Sequence, residues 1–359
     1  MIKKFSINLF ALISIYFIFA CSDHKKIKQK INQIQVIGSH NSYKKAIEDS
    51  LYAYLETQDT TGGLKSLQYE HIPILEQLSM GLRNLEIDVY IDKNGGKFSN
   101  PKGLSLAEEQ SEYDPENKLE QPGFKMIHIP DIDFRTQYYL FENCLKDLKS
   151  WSEDNPDHTP IFITLEPKDG EENNFGTSPE PFTAEAYQEL DDVILKFLGK
   201  EHLITPDDVR ADFKTLNEAV IAGNWPTIDE AKGKFMFILD TKDAKMQIYI
   251  KNHESLKNRV IFTNSEENSA EAAAMIINDP NDPRIPGLVE KGYIIRTRAD
   301  ANTTEARNND YSRFETAKKS GAQIITTDYY MPSTFFDSDY HIDFGKGDFS
   351  RKNPINNKS

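Results

Sequence analysis

Cysteine is almost missing from this 359-residue chain, which carries only Cys21 and Cys144. Cys21 closes an N-terminal leader, so the folded body keeps Cys144 alone and no intramolecular disulfide can form in any compartment. Stability must then come from a core. A body of about 320 residues buries roughly three quarters of its unfolded surface and needs no staples. Basic charge is also short: 57 Asp and Glu stand against 42 Lys and Arg, a net charge of −15. That is the wrong sign for a protein that holds nucleic acid through its phosphates. An acidic body also repels anionic lipid, so closeness to a membrane needs a source other than a basic surface. No cluster of His and Cys at close spacing is present, which excludes a zinc-type centre. No internal repeat is present either.

The leader itself is legible. Lys3 and Lys4 precede an apolar run from Leu9 to Ala20, and Cys21 follows directly. This is the layout of a secretory signal, and the run is shorter than the roughly 20 residues that span a bilayer. Ile18-Phe19-Ala20-Cys21 resembles a bacterial lipobox, in which the Cys is acylated and becomes the new N-terminus. The expectation is an exported lipoprotein of the cell envelope, at the outer membrane or cell surface, held by a lipid anchor. An ordinary signal peptide with an incidental Cys would leave the protein secreted. Residues 22–32 then read as a tether, 33–343 as the body, and 344–359 as a polar tail without periodicity, expected to be loose.

Along the body, short apolar strands alternate with amphipathic helices. Strands are expected at 31–37, 82–91, 124–129, 160–165, 235–239, 260–262, 293–297 and 322–326. Helices are expected within 64–80, with Pro73 marking its start and Gly81 its end, and at 140–154, 184–198, 270–277 and 303–319. The stretch 92–122, rich in Gly, Asn, Glu and Pro, reads as a long loop. Alternating strand and helix implies parallel βα units. About eight strands fit one α/β domain, a TIM-type (β/α)8 barrel.

The polar residues sit at telling places in that pattern. His40 and Asn41 follow the first strand, Glu86 and Asp88 share one face of the second, His128 ends the third and Glu166 follows the fourth. A parallel barrel gathers the C-terminal ends of its strands at one rim, so these six side chains are expected to converge. Asn41, Glu86, Asp88 and Glu166 offer only oxygen donors, the set for a hard cation such as calcium, with magnesium second. Two histidines beside such a cation suit proton transfer and stabilisation of charge on phosphate. Each residue has a plainer reading as core histidine or surface carboxylate. That reading weakens because a central barrel strand has no solvated face.

Ser39-His40-Asn41-Ser42-Tyr43, Asn84-Leu85-Glu86-Ile87-Asp88 and His128 resemble the X-region of phosphoinositide phospholipases C. Tyr69-Glu70-His71, Ile127 to Asp131, Asn224-Trp225-Pro226, Arg296 to Asp300 and Gly321 to Tyr329 extend the likeness to the bacterial calcium-dependent phosphatidylinositol-specific branch. It covers most of residues 33–335. The resemblance implies calcium ligation by Asn41, Glu86, Asp88 and Glu166, and His40 and His128 as the catalytic pair. It implies that Lys168, Arg296 and Arg298 face inositol or its phosphate. In an acidic protein these three could instead be ion-pair partners. Ile-Pro after His128 and Pro167 after Glu166 depart from the family pattern and bear on headgroup preference.

The implied chemistry is cleavage of a phosphatidylinositol-type lipid to diacylglycerol and inositol phosphate. Glu86 or Glu166 would take the attacking proton, His40 would stabilise the phosphoryl charge and His128 would protonate the leaving group. A glycerophosphodiester phosphodiesterase is the nearest rival, and the Ser-His-Asn-Ser-Tyr turn speaks against it. A non-catalytic lipid- or glycan-binding lipoprotein is a rival of another class, opposed by all six polar positions being intact. For the anchor, membrane fractionation gives the check. Cys21→Ala should release the protein from membranes or block its processing, and a wild-type protein found wholly soluble with its N-terminus beyond Cys21 would refute acylation.

Overall fold

The computed structural model describes residues 28–169 and 176–356; the leader, Cys21 and the start of the tether lie outside them. Ten strands form: β1 (Ile34–Ser39), β2 (Asn84–Asp92), β3 (Gly123–Lys125), β4 (Ile161–Pro167), β5 (Phe235–Leu239), β6 (Phe262–Thr263), β7 (Ala274–Ile276), β8 (Ile294–Arg298), β9 (Ile324–Thr327) and β10 (Ser350–Lys352). All but β3 and β10 lie parallel in the order β6-β5-β4-β2-β1-β9-β8-β7. A single parallel bridge from Asn264 to Ala274 joins β6 to β7. Each barrel strand therefore lies beside its neighbour in the chain, and the α/β barrel is nearly closed.

Parallel strands need crossovers, which place helices on the outside. The helix Phe141–Asp154 buries Phe141, Cys144, Leu145, Leu148 and Trp151, an i, i+3, i+4, i+7 stripe turned to the barrel wall. The helix Ala184–Leu198 starts where Thr183 caps the Ala186 amide through its hydroxyl, one of the orphan donors of a first turn. Both faces of β5 are covered, and all five of its residues are buried. Among the described residues no helix is long and apolar enough to cross a membrane.

Four expectations change. The stretch 124–129 is not a barrel strand. Only Gly123–Lys125 is extended, and it pairs antiparallel with Tyr90–Asp92 at the outer end of β2. No crossover helix intervenes that could turn the chain parallel, so it simply doubles back. The missing barrel strand is β7, which lies inside the stretch 270–277 expected to be helical. Ala272, Ala273 and Ala274 are fully buried there, so the demand for a barrel stave overrides alanine's helix preference. The loop 92–122 is a folded cap containing the short helix Gly103–Leu106, and it packs Phe98 and Leu119 against Leu51, Leu55 and Tyr90. The tail, described to residue 356, is not loose. β2 first meets β1 at Gly38, which leaves the N-terminal half of β1 with an open edge, and β10 fills it antiparallel from Ile34 to Val36.

The β1–β2 seam is very close. A Cβ on Gly38 would lie 2.3 Å from the Asn84 carbonyl oxygen, and backbone cannot yield as a side-chain tip can. Gly38→Ala should lower the unfolding free energy by about 2 kcal/mol or more. The reading is a reduced urea midpoint at unchanged slope, and a midpoint like the wild type's would show that the seam can open.

Candidate active site

His40 leaves β1 with its amide bonded to the Thr327 carbonyl at 3.1 Å. Asn41 takes the left-handed conformation, φ 48°, which Asn tolerates better than most residues. The loop is then laced to β2: the Ser42 amide donates to the Glu86 carbonyl at 2.9 Å, and the Glu86 amide donates to the Ser42 hydroxyl at 2.8 Å. His71 is buried and bonds the His40 carbonyl through Nε2 at 2.7 Å. It lies in the irregular link before the helix Ile74–Met80, stacked on buried Tyr330. The Asn41 amide group donates to the Tyr69 hydroxyl at 2.7 Å.

His40 places Nδ1 2.8 Å from Asp328 Oδ1. An ionised carboxylate only accepts, so Nδ1 carries the proton and Nε2 the lone pair. Nε2 lies 3.2 Å from an Arg298 nitrogen and 3.6 Å from Glu86 Oε1. Burial and then Arg298 lower the His40 pKa, outweighing Asp328 and Glu86, so the ring is neutral at pH 7. Burial alone would raise Asp328, but His40 and Arg298 overcome it and hold that carboxyl well below the usual range. Arg298 bonds the other Asp328 oxygen at 3.1 Å.

β2 and β4 run in register with Asp88 beside Glu166. Lys168 lies between their side chains, 3.4 Å from Asp88 and 3.3 Å from Glu166. Asp88 is fully buried, and among the described residues neither of its carboxylate oxygens has an aligned hydrogen bond, although the Tyr43 hydroxyl and the Lys168 ammonium lie close by. Burial raises its pKa, Glu166 and Glu86 add to the rise, and Lys168 and His128 oppose it. Glu86 is bonded by Arg296 from β8. Burial would raise this carboxyl too, but Arg296, His40 and Arg298 bring it below the ordinary value. Asp240, directly after β5, is raised to about 6, first by burial, with Glu86 and Glu166 adding and Arg296 opposing.

His128 reaches the site by a different route from the expected one. It stands beyond β3 at a tight turn in which the Ile129 and Asp133 backbones bond each other. Its Nδ1 lies 2.6 Å from Asp133 Oδ2, and the Tyr90 hydroxyl donates to its carbonyl at 3.1 Å.

The oxygen-donor set was tested against a hard cation. Asp88, a carboxylate shut away from water and answered by the Lys168 charge at one oxygen only, fits a cation that would complete it. Glu86 and Glu166 act on it electrostatically, and Asn41 adds a further oxygen donor from the β1 loop. Among the described residues no three Asp, Glu, His or Cys side chains are drawn into a closed cluster, because Arg296 and Lys168 take the carboxylates instead. Lys168, Arg296 and Arg298 are therefore the ion-pair partners of the plainer reading, and they sit at the same mouth as the two histidines.

The family model for phosphoinositide phospholipase C, Ca2+-dependent, matches residues 29–354. The chain belongs to that family. Its members are phosphodiesterases, and the barrel agrees. A solved calcium-dependent phosphoinositol-specific phospholipase C from Pseudomonas sp., described as a myoinositol complex, is 15% identical, with 90% of this chain and 96% of that one covered at a TM-score of 0.52. The calcium-dependent phosphatidylinositol-specific phospholipase C of Streptomyces antibioticus is 17% identical, with 84% and 95% covered at a TM-score of 0.53. At such identities the likeness shows the fold. No curated protein matches in sequence.

Within this phospholipase C fold, two carboxylates carry no site role in the sequence reading: Asp240 and Asp328. Asp300 receives the Asp328 amide at 3.0 Å and so buttresses the partner of His40. The signal was present, since Asp240 and Asp328 each directly follow an apolar strand, as Glu166 was thought to. Asp133 both receives the His128 ring and closes the turn with Ile129. If Asp88 is stored at a cost, Asp88→Asn should stabilise the metal-free protein at neutral pH by about 1–2 kcal/mol. Urea unfolding in chelator reads this, and a loss of stability would mean that Lys168 compensates the carboxylate fully.

Proposed function

We propose that the protein is a calcium-dependent phosphodiesterase that cleaves phosphatidylinositol-type lipids to diacylglycerol and an inositol phosphate, cyclic or hydrolysed. The observation that carries this reading is a pair of histidines, each with Nδ1 on a carboxylate at 2.8 and 2.6 Å, at a mouth that also holds the buried carboxylate of Asp88, faced at one oxygen by the Lys168 charge. Asn41, Glu86, Asp88 and Glu166 would hold calcium, which when bound supplies Lewis-acid polarisation of the ring hydroxyl and charge neutralisation at the phosphoryl group. Lys168, Arg296 and Arg298 now answer to carboxylates and are the cations within reach of a phosphate.

The ring hydroxyl attacks phosphorus within its own molecule, which avoids the entropy of bringing two reactants together. The neutral ring and lone-pair Nε2 of His40 support it as the acceptor of that proton, with Asp328 stabilising the imidazolium formed. Glu86, lowered and tied to Arg296, is poorly suited to the base role given to it from sequence, and Arg298 is better placed than a neutral His40 to meet phosphoryl charge. His128, with Nδ1–H committed to Asp133, would give a proton to the departing diacylglycerol oxygen from Nε2 in its doubly protonated, imidazolium form, the opposite charge state from His40. An acylated Cys21 would keep this mouth at a membrane surface.

The test is product analysis by phosphorus NMR with phosphatidylinositol and with glycerophosphoinositol, in calcium and in chelator. Cleavage of the lipid to an inositol phosphate in calcium, lost in chelator, is expected. Preferential cleavage of glycerophosphoinositol to glycerol phosphate would favour the glycerophosphodiesterase rival, and turnover of neither would favour a non-catalytic binder.

A further inference from the structure

We infer that Lys44 is a positioning residue for His128, acting through Asp133, and that it ties the two histidine arms of the site together. The inference rests on the phosphodiesterase reading above. Lys44 lies on the loop that carries His40 and Asn41, yet its side chain turns away from the mouth and is fully buried. Its ammonium donates to the carbonyls of Leu67 at 3.0 Å and Tyr69 at 2.8 Å, and it stands over the Tyr69 ring at 4.6 Å. It also lies 3.2 Å from Asp133 Oδ1, whose other oxygen receives His128 Nδ1 at 2.6 Å.

Asp133 thus has one oxygen for each neighbour. Oδ1 has no aligned hydrogen bond, so the Lys44 charge is what compensates it. A buried carboxylate without that charge would turn toward the donor it already holds among the described residues, the His128 ring, and change the ring's orientation. The backbone repeats the link: Lys44 bridges Thr136 antiparallel, and the Gln137 amide donates to the Tyr43 carbonyl at 2.9 Å. One lysine therefore fixes the β1 loop to the turn that holds His128. A buried ammonium seated on the carbonyls of Lys45, Leu67 and Tyr69 and beside one carboxylate oxygen is already saturated, so Lys44 touches no substrate.

A residue acting through the general acid should matter less when the leaving group needs no proton. On phosphatidylinositol, Lys44→Met should lower kcat by about 10- to 100-fold, the usual loss when the group orienting a functional side chain is removed, with KM changed less than about threefold. On an inositol phosphodiester with a nitrophenyl leaving group the deficit should shrink below about fivefold, as for His128→Ala. The double variant Lys44→Met/Asp133→Asn buries no lone charge. It should fold even where the single variant fails, show the same leaving-group dependence, and be no slower than the slower single variant. Equal deficits on both substrates, or a double variant whose deficit is the product of the two singles, would overturn the inference. A wild-type protein that cleaves neither substrate would instead remove the phosphodiesterase reading beneath it.

Discussion

Carboxylates that folding takes out of water, and the cations that must answer them, govern the mouth of this barrel. Glu86 and Asp88 on β2 and Asp300 and Asp328 around β8 and β9 are buried, and Asp240 after β5 is half-buried. An isolated buried carboxylate is too costly to persist, so each needs a partner or a raised pKa. Arg296 answers Glu86, Arg298 and His40 answer Asp328, and Lys168 stands beside Asp88. Asp88 is the incomplete case. Lys168 faces only one of its oxygens, which makes it the point where an additional cation would do most.

This arrangement also sets what each histidine can be. Arg298 and burial keep His40 neutral while Asp328 fixes its tautomer, and that combination accepts a proton better than it stabilises an anion. His128 keeps its ring on Asp133, while the His40 ring has both Asp328 and Arg298 beside it. The two rings therefore differ in environment although both lean on an aspartate. An acid and a base are distinguished by such differences more than by residue type.

Much of the barrel was legible because strand-period apolar runs are short and separated by amphipathic helices. The helix Ala184–Leu198 falls where its apolar spacing put it. The count of eight barrel strands came out right through two offsetting misreadings. Residues 124–129 were counted and are not in the barrel, while β7 was hidden in an alanine-rich stretch that propensity assigns to helix. Local propensity cannot register that a ring of parallel strands lacks one member. Neither can it see that β2 starts late against β1 and so leaves an edge for β10.

At the site, the sequence by itself determined the residue types and their places at strand ends: His40 and Asn41 after β1, Glu86 and Asp88 on β2, Glu166 at the end of β4. Those follow from periodicity of two along a strand and from the geometry common to parallel barrels. Only the tertiary structure decided the pairings. Arg296 meets Glu86 across 210 residues of chain, and Asp328 meets His40 across 288. No local pattern encodes such contacts, because they arise when β8 and β9 close the ring against β1. His128 shows the same limit from the other side. Its membership of the site was readable, but its place was not, since a doubled-back strand and the Lys44–Asp133 ion pair deliver it where a barrel strand was expected to.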